Sequence, residues 1–245
     1  MQSYSTRRKP IEMSTGNSEE QIMKEVSHTI KLSAATMLAM LLGSYLYSSS
    51  ANAAEVRDIS KVNGGIRVPA EERVGDISSV NGGIDLGRGV VAVRLDTVNG
   101  GIDLDDRVEI ERAETVNGGI RVSQSVTVHG SLSTVNGGIQ TNPGTVIEDR
   151  VSTVNGKIRL RDTRVGENVQ TSNGDIFLTD GSVIEGDIIV KGRRSWLGRF
   201  FSFDRRPSKI IIDSESSVMG DIHLYREVNL DIADGAEVGD IIEHF

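Results

Sequence analysis

The stretch Val62-Asn63-Gly64-Gly65-Ile66 reads VNGGI, and the same five letters return at 80–84, 98–102, 116–120 and 135–139. Relaxed copies follow, VNGKI at 154–158 and SNGDI at 172–176. The asparagines of the seven copies are Asn63, Asn81, Asn99, Asn117, Asn136, Asn155 and Asn173, with steps of 18, 18, 18, 19, 19 and 18 residues. A fixed period of this size marks a repeat architecture. One such unit is too short to bury its own apolar face, so neighbours must stack and share a continuous core.

With each Asn as position zero, position +3 is Ile in all seven units: Ile66, Ile84, Ile102, Ile120, Ile139, Ile158 and Ile176. Position +5 is Val or Leu except at Thr141, and position −1 is Val except at Ser172. Position −4 is apolar throughout, from Ile59 to Val169. A variable residue separates +3 from +5, which is the alternation of a short half-buried strand. The Asn-Gly-Gly segment makes a corner, since glycine reaches positive φ freely and Asn tolerates it. Asn-Gly often closes a hairpin, but identical corners at a constant interval fit a coil returning to the same place. In register, the asparagines would stack about 4.8 Å apart and bond to one another through their amides. The sequence therefore predicts an all-β chain, a single-stranded β-solenoid (β-helix) with 18–19-residue coils, after an N-terminal signal peptide.

Composition agrees with a thin core. Aromatic residues are 4 % of the 245, Gly numbers 27 and Cys is absent. Without cysteine there is no disulfide, thiolate metal site, Cys nucleophile or lipidated N-terminal Cys.

Residues 34–47, AATMLAMLLGSYLY, form an apolar run preceded by Lys24 and Lys31 and followed by Ala51-Asn52-Ala53. This predicts a signal peptide cleaved between Ala53 and Ala54. The run is short of the roughly 20 residues that span a bilayer, although an uncleaved anchor is a second reading. The start codon is Met1, Met13 or Met23, and Met23 would give a signal of ordinary size. Arg7-Arg8 is separated from the run by Pro10 and several acids, against a twin-arginine signal. The domains are then 1–53, N-terminal extension and signal; 54–181, regular V-N-G-G-I coils; and 182–245, coils marked by G-D-I at 186–188, 220–222 and 239–241. The expected location is periplasmic, outer-membrane-surface or extracellular. Cleavage leaves 22 basic and 31 acidic residues, a net charge of −9. Nucleic acid is not an expected partner, because phosphate binding needs concentrated positive charge.

The first two G-D-I copies are 34 residues apart and the last two 19, so an insertion lies between them. It is KGRRSWLGRFFSFDRRPSK, 191–209, and it holds the only Trp and three of the five Phe. Its candidate binding residues are Arg193, Arg194, Trp196, Arg199, Phe200, Phe201, Phe203, Arg205 and Arg206. Arginines among aromatics suit a membrane surface, an acidic glycan or an envelope protein. A loop folded back over the solenoid, its arginines simply solvated, is the plainer reading.

No catalytic constellation emerges. Position +4 runs Arg67, Asp85, Asp103, Arg121, Gln140, Arg159 and Phe177. Asp85 and Asp103 would neighbour each other on adjacent coils, where paired carboxylates serve acid–base work or weak calcium binding. Their flanking arginines favour a ladder of ion pairs. His129, His223 and His244 are far apart in sequence and are not read as a ligand pair. Gly87-Arg88-Gly89 sits inside a repeat with no following helix and is no dinucleotide fingerprint. No catalytic residue, metal or cofactor is expected.

The repeated S-T-V-N-G-G-I followed by I-x-V resembles a bacterial adhesin domain family whose V-N-G-x-I and S-N-G-D-I units wind a β-solenoid, over roughly residues 55–180. The later G-D-I coils are similar, more weakly, to polymer-forming solenoids of the bactofilin type. These resemblances imply a solenoid fold and a role in adhesion or the envelope, and they carry no catalytic residues. The expected function is that of an exported, non-enzymatic structural or adhesion protein. A polysaccharide-active β-helix enzyme using Asp85 and Asp103, and self-association through the solenoid ends, stand beside it.

Overall fold

A computed structural model describes residues 56–192 and 207–245. The segment 1–53, the cleavage site Ala53/Ala54 and the loop residues Arg193 to Arg206 lie outside the described residues. Those described fall within the unit Asn52–Phe245. They form 25 strands and no helix. Successive coils pair in parallel and in register, making a β-solenoid with one coil per repeat.

Each regular coil has three sides. The first side ends at the repeat asparagine, as in Ile77–Asn81 and Leu132–Asn136. The second is the I-x-V segment, as in Ile84–Leu86, and its nine strands form one sheet. The third is a short strand such as Thr145–Ile147 or Thr163–Val165. In Val91–Asn99 and Glu109–Asn117 the third side runs into the first without a corner. Those two nine-residue strands join both sides into a single 16-stranded sheet.

The core is a set of vertical files. The +3 isoleucines stack on one another and are buried, as are the −4 residues from Ile77 to Val169. β-branched side chains fill such files well because they pack on a pleated surface. Thr141, the polar exception at +5, is buried too, and its Oγ1 lies 2.7 Å from Thr163 Oγ1. Its hydroxyl is therefore satisfied rather than stranded.

The first side holds a buried file that periodicity in apolar residues does not show. Its inward slots are −4 and −2, and from the second copy onward −2 is Ser79, Thr97, Thr115, Thr134, Thr153 and Thr171. Thr97, Thr115, Thr134 and Thr153 each donate to the carbonyl of the first motif glycine one coil back, at 2.8–2.9 Å. The −1 valines lie on the outer surface, and Val62 is an exposed one.

The corner corrects one sequence argument. Of the first motif glycines, only Gly64 has a left-handed φ, at 95°. The requirement is instead close approach. A Cβ on Gly82, Gly100, Gly118, Gly137, Gly156 or Gly174 would overlap the backbone of the equivalent glycine one coil back. The second glycine is looser, with a Cβ on Gly65, Gly83, Gly101, Gly119 or Gly138 meeting its nearest neighbour at 2.9–3.5 Å. That is why Lys157 and Asp175 can replace it while Gly156 and Gly174 remain.

The C-terminal coils keep the stacking and change the lettering. Ile188 stacks on Val169, Ile222 on Ile188 and Ile241 on Ile222. These G-D-I isoleucines therefore continue the −4 file, whereas Ile176 of S-N-G-D-I belongs to the +3 file. Ile210 continues the +3 file on Ile176. Val190 to Ser208 spans 18 residues where the matching Thr171 to Gly174 spans three, so one Asn-Gly corner is replaced by 15 additional residues.

Candidate functional site

The seven asparagines form one column on the corner between the first and second sides, exposed at six members and half-buried at Asn173. From Asn81 onward each Nδ2 donates to the Oδ1 of the Asn one coil back, over six bonds of 2.9–3.1 Å. The column is polarised, and Asn173 Oδ1 at its far end receives Nη1 of Arg226 at 3.0 Å. The corner that would follow Asn173 is the one opened by the insertion.

On the second side, Asp85 and Asp103 are direct neighbours across adjacent coils. Asp85 is bound by Arg67 at 3.2 Å and Asp103 by Arg121 at 2.8 Å. The vertical order of charge is plus, minus, minus, plus. Each pair is solvent-exposed and contributes about 0.2–1 kcal/mol. The four residues, with Gln140 and Asn142, line a shallow groove of about 840 Å³.

Two groups, Asp96 and His129, bind their protons more tightly than usual. Asp96 projects from the first side beside Glu114 of the next coil. Burial, then the Glu114 carboxylate, push Asp96 up to about 6, against the pull of Arg112 and Arg94. His129 places Nε2 3.0 Å from Glu109 Oε1 and Nδ1 2.9 Å from Glu148 Oε1. The bonds to Glu109 and then Glu148 hold its imidazole above the ordinary histidine range. Both nitrogens can donate only in the imidazolium form.

His223 and His244 are brought together, contrary to the sequence reading. His223 Nδ1 lies 3.1 Å from His244 Nε2, across a separation of 21 residues. The spacing is one coil plus two residues, so they meet diagonally across neighbouring strands. Among the described residues no group of three or more His, Cys, Asp or Glu is placed to hold a metal.

The loop candidates Arg193, Arg194, Trp196, Arg199, Phe200, Phe201, Phe203, Arg205 and Arg206 are outside the described residues. The structure fixes where that segment leaves and rejoins the coil, at Gly192 and Pro207. Comparison with protein-family models, curated proteins and solved structures returns no match.

Proposed function

We propose that the protein is an exported, non-enzymatic structural or adhesion protein of a bacterial envelope, a solenoid scaffold displaying the basic-aromatic segment 191–209. The observation that carries this reading is the uninterrupted register around the insertion. Ile188 stacks on Val169, Ile210 on Ile176 and Ile222 on Ile188. The scaffold therefore accommodates 15 additional residues at one corner without changing its course. Such an arrangement displays a segment rather than linking two bodies.

The outer surface supports the same reading. Asp85 and Asp103 are each engaged by an arginine, where acid–base chemistry on a glycan would need them turned toward substrate. The partner class is an anionic surface: phospholipid headgroups, an acidic glycan or an acidic envelope protein. Arginine recognises such oxygens bidentately, and aromatic rings anchor at the same interface.

The test deletes 193–207 from the full chain and sets Gly192→Asn and Ser208→Gly, which rebuilds an ordinary Asn-Gly corner. The far-ultraviolet circular dichroism should be unchanged and the melting transition should stay cooperative, while sedimentation with isolated envelopes and with vesicles containing phosphatidylglycerol should be lost. Binding equal to that of the parent chain would reject the role of the loop.

A further inference from the structure

We propose that His223 and His244 form an open chelating pair for a divalent ion of the zinc, nickel or copper class. The two side chains belong to adjacent coils, with His223 aligned to Ile242 and Leu224 to Glu243. Their facing nitrogens are 3.1 Å apart. Two metal–nitrogen bonds of about 2.0–2.1 Å meeting near 100° put their nitrogens about 3.1–3.2 Å apart. The backbone thus already sets the span of a chelate. Without metal, one nitrogen carries a proton and donates to the other. Metal binding requires His244 to carry its single ring proton on Nδ1 instead of Nε2, so that both facing nitrogens offer lone pairs, and each ring to turn so that those lone pairs converge.

Tyr225 and Asp187 flank the two rings. Tyr225 stacks on His244 with centroids 4.2 Å apart and planes 8° apart. Asp187 Oδ2 lies 3.7 Å from His223 Nε2, on the ring edge away from His244. At that distance there is no hydrogen bond, but the carboxylate favours a proton on Nε2 electrostatically, leaving Nδ1 for the metal. Asp187, Asp221 and Asp240 form a file in which Asp187 accepts the Asp221 N–H and Asp221 the Asp240 N–H, both at 2.9 Å. This file passes beside His223 and gives the patch a negative potential, which favours a cation. Imidazole donors select zinc, nickel and copper over magnesium or calcium. The pair supplies two ligands and water the remainder, so the site binds reversibly.

The test titrates the untagged full chain with zinc chloride and, separately, nickel chloride in a non-chelating buffer by calorimetry. The proposal expects one saturable equivalent. His223→Ala, His244→Ala and the polar His244→Gln should each weaken it at least tenfold, and His129→Ala should leave it unchanged. Imidazole carbon–proton NMR signals of His223 and His244 should shift together on addition of zinc. Absence of saturable binding, or binding that survives the His223 and His244 substitutions, overturns the proposal.

Discussion

Arg226 donates to Oδ1 of Asn173 at 3.0 Å and to the Ser172 carbonyl at 3.1 Å, reaching back across the coil that carries the insertion. It stands where the next asparagine of the column would have donated. A guanidinium at that end meets the acceptor terminus of a polarised amide chain, where positive charge is favourable. Hydrogen bonds from charged donors contribute about 1.5–3 kcal/mol. Arg226→Met should lower unfolding free energy by about 1–3 kcal/mol in urea. Hydrogen exchange should accelerate first around Asn173 and Tyr225. Uniform exchange with no loss of stability would show that the cap contributes nothing.

The two motif glycines should respond differently to one added methyl group. Gly100→Ala forces a Cβ into the Gly82 backbone, whereas a Cβ on Gly101 meets the Gly119 carbonyl at 3.2 Å. The first should cost about 3 kcal/mol or more, at or above the usual limit of overpacking, and the second less than about 1 kcal/mol. Thermal unfolding of the two variants gives the comparison, and equal losses would contradict the close-approach argument.

The buried hydroxyl file offers a matched pair. Thr134 Oγ1 donates to the Gly118 carbonyl at 2.8 Å, while Ser79 Oγ, equally buried, has no partner. Thr134→Val should cost about 0.5–1.5 kcal/mol for the lost bond. Ser79→Ala should be neutral or stabilising, since it removes an unsatisfied buried hydroxyl. Chemical denaturation of both separates the outcomes.

Two groups give stability a pH dependence opposite to that of ordinary surface carboxylates. The folded Asp96 binds its proton more tightly than the unfolded one, with a value raised from 3.8 to about 6. Its contribution is present below pH 3.8 and is lost as pH rises through about 6. Asp96→Asn should therefore stabilise the protein at pH 8, on the order of 1–3 kcal/mol, and change little at about pH 4. His129 is also raised, so its support from Glu109 and Glu148 is present below the unfolded histidine value of 6.5 and fades above it. His129→Gln should flatten the fall in melting temperature as pH rises above the free imidazole value of 6.5. An unchanged pH profile in both variants would contradict these assignments.

Much of the architecture is legible because seven copies of one motif sit at one interval. Parallel stacking with Ile over Ile and Asn beside Asn follows from that interval once a coil is too short to fold alone. The reason for the corner glycine is not legible in the same way. A dipeptide such as Asn81-Gly82 carries no sign of whether glycine serves φ or proximity, and only the overlap at Gly82 with Gly64 distinguishes them. The Thr134 file is hidden because a threonine beside an apolar Val135 looks like an outward position, whereas here the outward position is Val135. The G-D-I tripeptide occurs on two sides, at Ile176 and Ile188, so letters alone do not assign its side. The His223–His244 meeting depends on the coil length in that region, 19 residues from Ile222 to Ile241, and on a diagonal offset of two. Residues 193–206 have no repeat to set their place.

The most direct test of the stacked coils is a set of distances along one outward file. Arg67, Asp85, Asp103, Arg121, Gln140, Arg159, Phe177, Ile211 and Asp231 are successive neighbours in the second sheet. The chain has no cysteine, so paired Cys substitutions can be spin-labelled without background. Pulsed electron–electron resonance should place labels at 67 and 159, five coils apart, about 24 Å from each other, and labels at 67 and 231, eight coils apart, about 38 Å. Distances rising by about 4.8 Å per coil are the predicted result. A 67–231 distance shorter than the 67–159 distance, or broad distributions at both, would contradict a continuous parallel solenoid.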